Sequence, residues 1–91
     1  MKISEGKRTK ISEQILSVLF SNMPKSLFTS HIAKEIARDE EFIKNLLIEL
    51  KKQDLITEIN KNPLGKKYLR RSRWRLSDKA YEAYKRMNNA L

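Results

Sequence analysis

A chain of 91 residues with a formal charge of +9 and no cysteine fits one small domain with a polyanionic partner, and it excludes disulfides and thiolate-ligated zinc. No apolar run approaches the roughly 20 residues that span a bilayer. The opening MKISEGKRTK also lacks the apolar centre of a signal peptide, so a soluble cytoplasmic protein without a membrane partner is expected.

The charge is concentrated. Net values are +3 over residues 1–28, −2 over 29–59, +7 over 60–75 and +1 over 76–91. A positive potential of that kind attracts phosphates, most strongly at low salt.

Taken in order, residues 1–8 show no periodicity and read as a flexible basic arm carrying Lys2, Lys7 and Arg8. From Thr9 the spacing turns helical, with Ile11, Ile15, Val18 and Leu19 on one stripe and Leu16 and Phe20 widening it. Thr9 or Ser12 is a candidate cap, and Pro24 ends the helix because the residue before a proline avoids helical dihedrals. A second helix starts at Thr29 as its N-cap and runs to about residue 37 or 38. Asp39 caps a third, with Glu40 and Glu41 in its first turn, where the helix dipole favours negative charge. Ile32, Ala33, Ile36, Ile43, Leu47 and Leu50 carry the spacing that packs such a pair. The exposed positions of the third helix include Glu40, Glu41, Lys44, Asn45 and Ile48, with Phe42 and Leu46 displaced from its main core stripe.

From Leu55 the period becomes two, placing Leu55, Thr57 and Ile59 on one strand face and Ile56, Glu58 and Asn60 on the other. Asn62-Pro63-Leu64-Gly65 has turn chemistry. On the return, Arg71, Arg73 and Arg75 alternate with Ser72, Trp74 and Leu76, so a strand puts the arginines on one side and Trp74 and Leu76 against the core. Ser77 caps a last helix, along which Ala80, Tyr81, Tyr84, Met87 and Leu91 form an apolar stripe.

Residues 29–56 resemble the helix-turn-helix of winged-helix DNA-binding proteins, the MarR-like and PadR-like regulators among them. Ile32-Ala33-Lys34-Glu35-Ile36 matches the opening pattern Ile-Ala-x-x-Leu, Leu47-Ile48-Glu49-Leu50 the end of the recognition helix, and Leu55-Ile56 the exit. Trp74-Arg75-Leu76-Ser77-Asp78-Lys79-Ala80 resembles the family's aromatic-x-Leu-Thr-x-x-Gly junction, and the likeness extends over about residues 9–87. Two positions depart from the pattern. Ala37 and Asp54 stand where relatives carry glycine, which accepts a left-handed turn without strain. Alanine weakens the expectation of a tight turn more than aspartate does.

The resemblance implies an α+β, mainly α fold: a winged helix-turn-helix with a three-helix core, a β-hairpin wing and a C-terminal helix. The domain spans residues 9–91, with the helix-turn-helix at 29–53, the wing at 55–76 and the last helix at 78–91. It also implies a transcriptional regulator that binds double-stranded DNA, its third helix in the major groove. There Asn45 would pair with adenine, Lys44 would reach a phosphate or guanine, and Glu41 would accept from cytosine. The carboxylates at residues 39–41 repel phosphates, and their alternative role is to stabilise the helix terminus.

Lys61, Lys66, Lys67, Arg70, Arg71, Arg73 and Arg75 of the wing are expected on the phosphate backbone or in a narrow minor groove. Neutralising about six phosphates gives a slope of about −5 in log K against log salt. Tyr81, Tyr84, Met87 and Leu91 are the candidate homodimer contact, although the two tyrosines also suit a cap on the wing side of the core. Two other readings remain open at this stage: an architectural nucleoid protein of low sequence specificity, and a protein–protein docking module using the acidic, apolar third helix. Catalysis has no support, because His31 is alone and the serines lack a partner base. No enzyme activity, cofactor or metal is expected.

Overall fold

A computed structural model of the chain describes residues 5–59 and 72–89, with side chains through residue 87. The elements run α1 (Glu5–Ser21), β1 (Leu27–Phe28), α2 (Thr29–Ile36), α3 (Glu40–Lys52), β2 (Ile56–Ile59), β3 (Arg73–Leu76) and α4 (Asp78–Asn89). The strands form one antiparallel sheet in the order β1-β3-β2. Among the described residues this is the winged-helix arrangement, a helical core beside a small sheet. No helix among them is long and apolar enough to cross a membrane.

The helical stripes form one core. Ile11, Ile15 and Leu19 of α1 meet Ile32 and Ala33 of α2 and Ile43, Leu46, Leu47 and Leu50 of α3, all buried. Ile56, Trp74, Leu76 and Ala80 close it from the sheet and α4. Leu46 therefore belongs to the main core stripe rather than beside it, while Phe42 is half-buried against the same cluster. Truncating a buried leucine of this kind costs about 2–5 kcal/mol.

Three boundaries differ from the sequence reading. Helix α1 begins at Glu5, so residues 5–8 belong to it and not to an arm. The Thr9 hydroxyl lies inside the helix and donates to the Glu5 carbonyl at 2.9 Å instead of capping. Arg8 explains part of the extension: its Nη2 donates to Glu49 Oε2 at 2.6 Å, fastening the first turns of α1 to α3. Thr29 is the first residue of α2, which has no side-chain cap. Its hydroxyl instead accepts from the Trp74 indole nitrogen at 2.8 Å. That satisfies the only polar group of a side chain just 1% exposed. The third difference is β1, whose Leu27 and Phe28 pair with Trp74 and Arg73.

Both glycine-to-other departures keep the left-handed backbone. Ala37 has φ 59° and ψ 47°, and Asp54 has φ 60°. The same two bonds close each helix end: Ala37 N–H to Lys34 O at 3.2 Å with Arg38 N–H to Ala33 O at 3.0 Å, and Asp54 N–H to Lys51 O at 3.0 Å with Leu55 N–H to Leu50 O at 3.1 Å. This is the Schellman pattern. The turn is tight despite alanine, because two satisfied carbonyls offset a left-handed penalty of about 1–2 kcal/mol.

Other expectations hold. Asp39 caps α3 through its Oδ2, which accepts from the Phe42 N–H at 3.1 Å. Ser77 caps α4 by accepting from the Ala80 N–H at 3.1 Å, while its own hydroxyl donates to the Asp54 carbonyl at 2.8 Å. One serine thus ties the last helix to the exit of the helix-turn-helix. Tyr81 and Tyr84 face Phe20 of α1, with ring centroids 5.7 and 5.4 Å apart, so they cover α1 rather than the wing side of the core.

Candidate nucleic-acid interface

Helix α3 turns its buried residues inward and leaves Glu40, Glu41, Lys44, Asn45 and Ile48 exposed along the opposite side. Burial of Ile43, Leu46, Leu47 and Leu50 fixes this stripe, and the Asp39 cap fixes where the helix starts. Along the Lys44 edge runs a groove of about 230 Å³, lined by Phe28, Thr29, Ser30, Glu40, Lys44, Ser72 and Trp74. Ser72 and Trp74 thus face Glu40 and Lys44 across this groove, and the Lys44 edge of the exposed helix stripe opens beside the wing base.

Glu58 holds that geometry. Its carboxylate accepts from Lys51 Nζ at 2.7 Å and from Ser72 Oγ at 2.5 Å, joining the last turn of α3 to both sides of the wing base. The bonds from Lys51 and then Ser72 hold its pKa below the usual carboxylate value, against the opposing effect of burial. Period two is kept on this strand. Ile56 is buried and Glu58 half-buried on one face, with Thr57 exposed and Ile59 half-buried on the other; Leu55 precedes the strand.

The two described wing arginines already have protein contacts. The Arg73 guanidinium lies over the Phe28 ring, 4.7 Å from its centroid, and Arg75 Nη1 is 3.9 Å from Asp78 Oδ1. Both side chains are half-buried, on the strand side opposite Trp74 and Leu76. A pair at 3.9 Å whose carboxylate is solvent-exposed contributes little, so Arg75 can change partners cheaply, whereas Arg73 also stacks. The other expected wing contacts (Lys61, Lys66, Lys67, Arg70 and Arg71) lie outside the described residues, as does the turn at 62–65.

Of the expected dimer contacts, Tyr81 and Tyr84 are half-buried on Phe20. Burial, and then the charge of Glu13, raise the Tyr84 phenol above its ordinary pKa. Met87 is 65% exposed, and Leu91 lies outside the described residues. His31 is on the surface, 3.9 Å from Glu35 one helical turn away. Among the described residues no cluster of three or more His, Asp or Glu is placed to hold a metal.

Sequence reasoning missed the Glu58–Lys51–Ser72 network and the Trp74–Thr29 bond. Their partners are separated along the chain, by 45 residues in the second case, and no local pattern marks such pairs.

No protein-family model matches the chain, and no curated protein does. Solved structures do. An S. aureus MepR–DNA complex is 20% identical, with a TM-score of 0.69 over 93% of this chain and 73% of that one. Apo Lactococcus lactis ZitR, solved as a mutant, is 21% identical at TM-score 0.70, over 93% and 59%. The Zalpha domain of Carassius auratus PKZ, in complex with Z-DNA, is 23% identical at TM-score 0.62, over 77% and 97%. Against a mutant MepR from a multidrug-resistant S. aureus clinical isolate the match spans 53% of that chain, so this chain spans about half the length of that protein. At these identities the likeness is one of fold. The chain is a winged helix, of the kind found in MarR-family transcriptional regulators and in a Zalpha domain.

Proposed function

We propose that this chain binds double-stranded DNA as a transcriptional regulator, working as a homodimer in the cytoplasm on the nucleoid, and that it is not an enzyme. The observation that carries this reading is the shared side of α3 and the wing base. The groove beside Lys44 is lined by Ser72 and Trp74 of the wing base, next in sequence to Arg73 and Arg75. Support comes from MepR, a solved DNA complex of the same fold.

In this reading Glu41, Lys44 and Asn45 meet base edges or nearby phosphates in the major groove. Lys61, Lys66, Lys67, Arg70, Arg71, Arg73 and Arg75 hold the backbone or the minor groove. Tyr81, Tyr84, Met87 and Leu91 supply the dimer contact, giving a two-fold suited to paired half-sites.

A second reading has its own observation. Glu40 and Glu41 are exposed at the start of the reading helix, which favours an architectural protein held by the wing with little sequence choice. Binding to selected and random duplexes at two salt concentrations separates the two. A regulator prefers its selected site by about 10³ or more, whereas an architectural protein binds both alike. No binding to any duplex at low salt would overturn both and leave protein docking.

A further inference from the structure

Among the described residues, the exposed large hydrophobics are Ile48 and Met87. Met87 is on α4, but Ile48 is 38% exposed on the outward stripe of α3. It follows Asn45 by three residues, Lys44 by four and Glu41 by seven, the spacings that align side chains along one helix face. The inward Ile43, Leu46, Leu47 and Leu50 of α3 already fill the core, so Ile48 is not needed there. An aliphatic branch set among polar side chains needs an apolar partner to lose its water.

We infer that Ile48 is a specificity-determining residue that reads the 5-methyl group of thymine in the major groove, beside the base edge read by Asn45. This rests on the DNA-binding reading above and adds a residue and a base to it. Thymine carries the only methyl group on a major-groove edge, and apolar side chains recognise it by contact. Three helical residues rise about 4.5 Å, close to the roughly 3.4 Å step between base pairs. Asn45 and Ile48 therefore reach neighbouring pairs. An asparagine suited to adenine next to an isoleucine suited to thymine makes A·T steps the preferred target of this turn of α3. Lys44, on the groove edge of the same helix, favours a phosphate alongside.

The test uses duplexes selected by the full chain from a random-sequence library, each then made with thymine or with deoxyuridine, which differs only by the methyl group. The expected result is about a fourfold loss of affinity per contacted methyl on changing thymine to deoxyuridine, equivalent to about 0.8 kcal/mol per buried carbon. Ile48→Ala should bind both duplexes alike, at the weaker level, and Ile48→Val should restore part of the difference. Because Ile48 is exposed, its truncation leaves the core intact. Equal binding of both duplexes by the unmodified chain would overturn the inference while leaving DNA binding in place. So would an undiminished methyl preference in Ile48→Ala, since another residue would then be reading it. Failure to bind either duplex would overturn the functional reading and this inference with it.

Discussion

Helix α3 and the wing, the two elements proposed to meet DNA, differ in charge. Residues 29–59, which hold α2, α3 and β2, carry a net charge of −2, and the next sixteen carry +7. Helix α3 is capped, packed on four buried side chains and fixed in register, so it can discriminate. It cannot supply much attraction to a polyanion, because Glu40 and Glu41 stand at its exposed start. The wing sequence has the reverse character: its cations attract phosphates regardless of sequence, and its described base is tied to α3 through Glu58. In the proposed reading, affinity and choice therefore reside in different elements, joined at Glu58.

The largest expected effect comes from removing wing charge. Replacing Arg71, Arg73 and Arg75 together with alanine should weaken binding to every duplex by about 100-fold near physiological salt, the consequence of losing about three phosphate contacts. A filter-binding or anisotropy titration measures this. A loss confined to one sequence would reassign the arginines to base reading. Arg73→Ala alone should also lower stability slightly, because its guanidinium stacks on Phe28.

Next in size is Asn45→Ala. It should cost about 1–3 kcal/mol of discrimination at one base position and little affinity for random duplex. Binding to single-position variants of a selected site would show it.

Glu58→Ala sharpens the comparison by its sign. Deleting a carboxylate ought to strengthen binding to a polyanion. If Glu58 instead aims the wing, affinity should fall about fivefold, the size of one hydrogen bond's net contribution. Its depressed pKa carries a second expectation. A carboxyl whose folded pKa lies below its unfolded value adds stability that is present above the ordinary carboxyl value and is lost as pH falls through the lower folded value. Urea unfolding from pH 7 downward should show part of the acid loss disappear in Glu58→Gln.

The smallest effect is on the turn. Ala37→Gly should raise stability by about 1 kcal/mol or less, since relief of the left-handed penalty is partly offset by glycine's greater unfolded-state freedom. A melting point unchanged or lowered would mean that the Schellman bonds have already absorbed the strain.

Much of this fold was legible because its signals are local. The stripe of Ile11, Ile15 and Leu19, the Asp39 and Ser77 caps and the alternation of Arg73, Trp74, Arg75 and Leu76 each follow from spacing or a short side-chain bond. What was not legible depends on distant partners. Residues 5–8 belong to α1, where Arg8 reaches Glu49, and Thr29 is spent on Trp74 rather than on a cap. Strand β1 has two residues, too few for period two to register, and exists only because β3 lies beside it. Leu46 looked peripheral on a helical wheel, and packing made it core. For the candidate site, the exposure of Lys44, Asn45 and Ile48 was readable from periodicity. The Glu58 network was not, because its three members come from α3, β2 and the first residue before β3.

The most direct test of a wing that holds and a helix that chooses is the salt dependence of the Arg71, Arg73 and Arg75 triple variant on selected and random duplexes. The expected slope of log K against log salt falls in magnitude from about −5 to about −2, while the ratio of selected to random affinity is unchanged. An unchanged slope with a collapsed ratio would contradict the division of labour, because the arginines would then be reading sequence and the charge that holds the DNA would lie elsewhere.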